Sequence, residues 1–327
     1  FANRVFDWHE PEQDSKSPYW MTPQEEQGIP RVIPAPAESF RHRRHAGALV
    51  KNGDFSGAYA VAQSLEEDDE ERKWIQSLYQ AHLYMLGMLT EPRNIPPYLK
   101  ILVSGEMPRC LMPAMRLEAA LWSGRILEAI FFTSTFFDAA LLDWIEKSLI
   151  PRDKKGTLLG RLNQESRTIN FLKELPFNKI LMRKIPNTNI ACLEPSKKSS
   201  IFVSYSYHTD KSCLPRWFQA FPCEPLERMS KMLDDEYPYK NNSTKPRFLR
   251  NIITHSDADQ ELMNRAKEIF IQGGFWAPDM PSLPGSYFLR LDYAKNILNL
   301  FDIPDPAALY QNLVHGLLLE MENHEIA

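Results

Sequence analysis

Apolar residues recur at helical spacing along most of the chain. From Ala46 the run Ala48, Leu49 leads to a Gly53-Asp54 turn and then to Phe55, Ala58, Tyr59, Val61, Ala62 and Leu65. That pattern predicts a helix, a tight turn and a second helix. Trp74, Leu78, Tyr79, Ala81, Leu83, Tyr84 and Leu86 form a third helical stripe, and short apolar elements fill 98–112 before Pro113. Two long helical runs, 114–123 and 126–149, flank Gly124. The second carries Ile130, Phe131, Phe132, Phe136, Phe137, Leu141, Leu142, Trp144 and Ile145, so it is expected to be a central buried helix. Residues 158–175 are more polar and still suggest a helix. A helix is expected from 250 through Leu262, Ala266, Ile269 and Phe270 to Gln272, closed by Gly273-Gly274. Two more are expected at 287–300 and 306–320.

Prolines divide this helical pattern. Pro11, Pro18, Pro23, Pro30, Pro34 and Pro36 make helix improbable over residues 1–40. Phe6, Trp8, Tyr19 and Trp20 in the same stretch favour an extended segment docked on the body or on a partner. Pro186, Pro195, Pro215, Pro222, Pro225 and Pro238 break residues 176–245 in the same way. Within them Ile201-Phe202-Val203-Ser204-Tyr205-Ser206-Tyr207 alternates with period two, the best strand candidate in the chain. The expectation is a mainly α fold: an extended segment at 1–40, a helical-hairpin connecting domain at 41–112, and a helical domain at 113–327 with an irregular, partly β insertion at about 176–245. The phrases around Gly53 and Gly124 both read as helix, glycine turn, helix. They resemble tetratricopeptide-type hairpins, but no 34-residue period is sustained.

Composition narrows the choice of partner. The chain has 327 residues, 43% of them hydrophobic, with a net charge of -4 and a pI near 6.1. A nucleic-acid partner must therefore meet a local basic patch. Arg41-His42-Arg43-Arg44-His45 is one such run, readable as a phosphate contact or as a solvated first turn. Lys197, Lys198, Tyr205, Tyr207, His208, Lys211, Arg216, Trp217 and Phe218 interleave cations with aromatics. That suits single-stranded RNA, where bases stack and cations follow phosphates, and equally an insertion packed on its own aromatics. Cys110, Cys192, Cys213 and Cys223 show no metal-ligand spacing and read as reduced thiols. No cofactor or metal is expected. No long uncharged apolar run and no signal peptide are present, so a cytoplasmic protein with no membrane partner is expected. The chain begins with Phe, which suggests that a preceding portion belongs to the protein.

Candidate chemistry concentrates in Lys245-Pro246-Arg247-Phe248-Leu249-Arg250-Asn251-Ile252-Ile253-Thr254-His255. Imidazole moves protons near neutral pH, and guanidinium holds phosphate with a planar fork of donors. Together they can cleave RNA without metal. The base frees a ribose 2′-hydroxyl that attacks its own phosphate, and the guanidinium stabilises the charge that develops. Five helical positions span about one and a half turns, so Arg250 and His255 do not stack on one face. That geometry suits a site completed by a second copy. Arg4 and His9 share the spacing, but they lie in the Pro-rich stretch and Val5, not a polar residue, follows Arg4.

The phrase Leu249-Arg250-Asn251-x-x-x-His255, late in a helical chain, resembles the motif of HEPN ribonucleases. Its setting is similar to the HEPN half of type III CRISPR accessory ribonucleases, over roughly 114–150 and 245–320. The resemblance implies catalytic Arg250 and His255, with Asn251 at the polar position after the Arg and Asp138 at an acidic position near the site. It further implies a homodimer, single-stranded RNA as substrate, a role in antiviral defence, and activation by cyclic oligoadenylate through a sensor domain. No Gly-rich βαβ pattern for that sensor precedes residue 114, and the 176–245 insertion departs from the family. The competing expectations are a helical-repeat interaction module without chemistry, and an inactive HEPN dimer that binds RNA or a toxin partner.

Overall fold

The computed structural model describes residues 35–65, 71–88, 96–103, 107–149, 160–163, 168–171, 193–197, 200–203, 218, 221–234, 245–255, 259–278 and 287–322. The chain divides into two compact units. One comprises Phe1–His82 with Gly316–Ala327, the other Leu83–His315.

In the first unit, α1 (Ala35–Lys51) and α2 (Phe55–Ala62) form a hairpin, and α3 (Arg72–Leu86) follows. Helix α1 begins inside the stretch expected to be extended. Pro36 permits this because a first-turn proline gives up a donor that the helix leaves unpaired anyway. Gly53, at φ 74, reverses the chain in the left-handed region that a side chain disfavours. Asp54 then caps α2, its carboxylate accepting from the Gly57 amide at 2.8 Å. The core holds Ala46, Val50, Phe55, Ala58, Trp74, Ile75 and Leu78. Buried Glu71 ties α1 to α3: it accepts from the Ser39 hydroxyl and the Trp74 indole, and pairs with Arg43 Nε at 3.3 Å.

In the second unit, α4 (Pro97–Val103) precedes the hairpin of α5 (Leu111–Trp122) and α6 (Ile126–Leu149), which turns at Gly124 with φ 68. Helices α7 (Glu224–Asp234), α8 (Pro246–His255) and α9 (Gln260–Gln272) pack on α6. Helix α10 (Asp292–Asn299) packs on α7, and α11 (Leu309–Glu322) ends the described chain, through His315 in this unit and from Gly316 in the first. Most of the apolar residues expected to bury α6 do so, Phe136 edge-on to Phe288 at 5.0 Å among them. Phe131 does not. It is 47% exposed, next to Leu127 at 50%. The two lie four residues apart and share one stripe, which the core face through Ile130, Phe137 and Leu141 leaves uncovered.

Three expectations about elements need correction. Within 158–175 the described residues are strand, not helix: β1 (Gly160–Asn163) and β2 (Thr168–Phe171) pair antiparallel, with Gly160 opposite Phe171 and Asn163 opposite Thr168. They join β3 (Leu193–Lys197) and β4 (Ser200–Val203) in an antiparallel sheet of order β1-β2-β4-β3. Thr168, Ile169 and Phe171 are β-branched or aromatic residues in a segment too short for helix cooperativity. Strand β4 falls at the start of the expected 201–207 strand, and residues 204–207 lie outside the described residues. The helix after Arg250 is not continuous either. Helix α8 stops at His255, and α9 restarts behind Asp259, whose carboxylate accepts from the Leu262 amide at 2.7 Å. Its cap residue Gly273 is right-handed, and Gly274 supplies the left-handed conformation at φ 75. Last, Tyr287 to Arg290 form a turn ahead of α10 rather than its first helical turn. Among the described residues no helix is long and apolar enough to cross a membrane.

Candidate functional site

Helix α8 carries the three residues singled out by the sequence. Pro246 opens it, a position that proline's fixed φ favours. Leu249 and Ile253, four apart, are buried and fix the helix against the core. Arg250 follows Leu249 and is half-buried at the edge of that face. Its guanidinium carbon lies 5.9 Å from the centroid of the Phe131 ring, near the outer limit of a cation–π contact, and it makes a further interaction as well. An Arg from α8 thus meets the exposed aromatic of α6.

Asn251 takes the next position, and His255 is the final residue of α8. The side chains of both lie outside the described residues. The backbone alone puts His255 about 140° around the axis from Arg250 and about 7.5 Å further along it. Asp138 is half-buried on α6, seven residues from Phe131 and so on the same side of that helix. It too has an interaction partner. The described geometry therefore relates Arg250 to Phe131 and places Asp138 on the same stripe. Arg4 and His9 lie outside the described residues, as do Cys192, Cys213 and the basic-aromatic run apart from Lys197, whose side chain is also outside them, and Phe218. Cys110 and Cys223 are free and buried.

Two buried carboxylates of α5 and α6 hold the second unit together, and sequence reasoning did not single them out. Glu118 of α5 is fully buried and accepts four hydrogen bonds: from the amides of Tyr287 (2.6 Å), Phe288 (2.9 Å) and Leu289 (2.9 Å), and from the Trp122 indole (2.8 Å). Burial pushes its carboxyl above the ordinary range, against the pull of those donors. Asp143 of α6 accepts from the Cys110 amide and the Arg109 guanidinium, each at 2.9 Å, and burial raises it also. Arg109 pairs with Glu146 as well. In sequence both acids sit inside apolar runs, Leu117-Glu118-Ala119 and Leu142-Asp143-Trp144. An acid on the apolar face of a helix was the available signal.

The chain matches no known protein-family model and no curated protein. Among solved structures, Enterococcus italicus Csm6 bound to cyclic hexa-2′-fluoro-hexa-dAMP is similar over 85% of this chain, at 12% sequence identity and a TM-score of 0.38. The chain spans 61% of that structure's length. A likeness at that level assigns nothing by itself.

Proposed function

We propose that the chain is a metal-independent endoribonuclease acting on single-stranded RNA at a composite site of a homodimer. One observation carries the reading. Arg250 emerges from α8 against Phe131, and Phe131 and Leu127 present an apolar stripe to solvent beside it. An exposed aromatic next to a phosphate-binding cation suits a surface that a second copy covers, bringing two such helices together about a twofold axis.

In this reading His255 removes the proton from a ribose 2′-hydroxyl. The 2′-oxygen bonds to the adjacent phosphorus, and the bond from phosphorus to the 5′-oxygen breaks. The leaving 5′-oxygen takes a proton from an imidazolium, supplied by His255 or its copy. Arg250 neutralises the charge that grows on the phosphoryl oxygens. Asn251 and Asp138 orient these groups. The products are a 2′,3′-cyclic phosphate and a 5′-hydroxyl. A labelled single-stranded RNA incubated with the protein in EDTA is expected to yield those ends, and a strand with one 2′-deoxy nucleotide is expected to survive at that position. Cleavage of the 2′-deoxy position, or ends bearing a 5′-phosphate, would exclude this mechanism. Adding cyclic oligoadenylates to the same assay tests activation through a sensor domain outside this chain, and a role in CRISPR-linked antiviral defence depends on that activation.

The second reading is a helical-repeat module for protein interaction. The two hairpins turned at Gly53 and Gly124 favour it. A monomer that binds a protein partner and leaves RNA intact would establish it.

A further inference from the structure

The basic run Arg41 to His45 is left unused by the proposed chemistry, and the structure divides it in two. Arg43 turns inward to pair with Glu71, and His42 Nδ1 lies 3.0 Å from the Ser64 hydroxyl. Arg41, Arg44 and His45 are exposed. They fall in the middle of α1 rather than in its first turn, so the helix extends the pattern in both directions. Spacings of three and four residues carry one outward stripe through Phe40, Arg41, Arg44, His45, Ala48 and Lys51, all of them exposed. The cations span about 15 Å along the axis. From Ser39 to Lys51 helix α1 has no acidic residue; its one acid, Glu38, precedes that stretch and its side chain lies outside the described residues. A face that is merely solvated would mix signs, most of all on a chain whose net charge is -4. The stripe also carries a stacking surface: Phe40 is 44% exposed, and the Arg44 guanidinium lies 5.6 Å from its ring centroid.

We propose that this face of α1 is a docking surface for single-stranded RNA, in which Arg41, Arg44 and Lys51 follow successive phosphates and Phe40 offers a ledge for a base. The proposal rests on the ribonuclease reading for its choice of polyanion. The recognition chemistry is electrostatic and stacking, so this surface does not distinguish ribose from deoxyribose. That distinction belongs to the cleavage step, which needs the 2′-hydroxyl.

The test measures binding on intact RNA, in the full chain carrying His255→Ala. Affinity for a labelled single-stranded RNA is titrated over a range of salt concentrations, with Arg41, Arg44 and Lys51 all changed to Glu. A control of equal net charge changes exposed Lys100, Lys231 and Lys267 to Glu. The face variant is expected to lose roughly tenfold or more in affinity, and the slope of log affinity against log salt is expected to fall by about 2, for three phosphate contacts. The control is expected to keep the parent slope. Equal losses in both variants would reduce the effect to overall charge and overturn the proposal. Unchanged affinity in the face variant together with a lowered melting temperature would assign these cations to the fold and overturn it as well. A protein that grips RNA through this face yet cuts none sinks the nuclease and leaves the surface standing. A protein that cuts RNA while the face variant binds as tightly as the parent does the reverse.

Discussion

Glu118→Gln isolates how a single buried carboxylate holds the second unit together. The native side chain has two oxygens and four donors aimed at them, three of them backbone amides from the Tyr287–Leu289 turn. The amide keeps one oxygen and replaces the other with an NH₂ group. That group faces donors and can accept nothing. The Oε2 position serves the amides of Phe288 and Leu289, and Oε1 serves Tyr287 and Trp122. Whichever way the amide is oriented, two donors lose their acceptor in a site with no solvent. Each unsatisfied buried group costs about 1–3 kcal/mol, so the loss of two should be about 2–6 kcal/mol.

At neutral pH the cost of burying the carboxylate charge, which the glutamine avoids, offsets part of that loss, and protonation removes the offset. The carboxyl is held above its ordinary value of 4.5 by burial, so the folded state binds its proton more tightly than the unfolded state does. Stability contributed by protonated Glu118 is full at acid pH and is lost as pH rises through the ordinary carboxylate range to the raised folded value. The glutamine has no such dependence. The gap between native protein and variant should therefore be widest at low pH and narrow toward neutrality. Urea unfolding followed by far-ultraviolet circular dichroism, at a series of pH values, measures it. A variant as stable as the native protein would show that the four hydrogen bonds contribute nothing net. A gap that widens with pH would show that the donors, not burial, dominate the titration.

Arg109→Met removes the cation from Asp143 and Glu146 and leaves the buried Asp143 carboxylate without its charged partner, at an expected cost of about 3 kcal/mol in the same assay. Trp276→Phe deletes the hydrogen bond from its indole to the Thr133 hydroxyl, 3.0 Å long, and should cost about 1 kcal/mol, read from the unfolding midpoint. Phe131→Glu changes a residue already 47% exposed, so the melting temperature should hold within a few degrees. In sedimentation velocity the same variant should run as a monomer where the native chain runs as a dimer. Arg250→Lys keeps the charge and loses the planar fork. Cleavage should fall by at least about tenfold with little change in stability, measured as initial rates on labelled RNA.

Long elements with strong periodicity were legible in the sequence. The Gly124 hairpin and α6 were visible because Phe, Leu and Ile repeat at helical spacing for more than six turns' worth of residues. The pairing of β1 with β2 was missed because each strand offers four residues, too few to separate period two from a helical face. Phe131 was misjudged for a different reason. Periodicity shows that a helix has an apolar stripe, and α6 has apolar residues nearly all round, so the pattern could not say which side the neighbouring helices cover. The break after His255 depended on Asp259 acting as a cap, a contest between side chain and backbone that apolar spacing does not register. At the candidate site, Arg250 and His255 could be picked out by residue chemistry. That Phe131 would be the partner of Arg250 could not, since the two are far apart in sequence and meet only through the packing of α8 on α6.

The most direct test of the nuclease is the rate at which His255→Ala cleaves single-stranded RNA in EDTA, with circular dichroism confirming the native fold. Loss of a general acid–base group should lower the rate by about 100-fold or more while the helical spectrum and melting transition persist. A folded variant that cuts at the native rate would contradict the nuclease and leave a helical scaffold whose chemistry, if any, lies elsewhere.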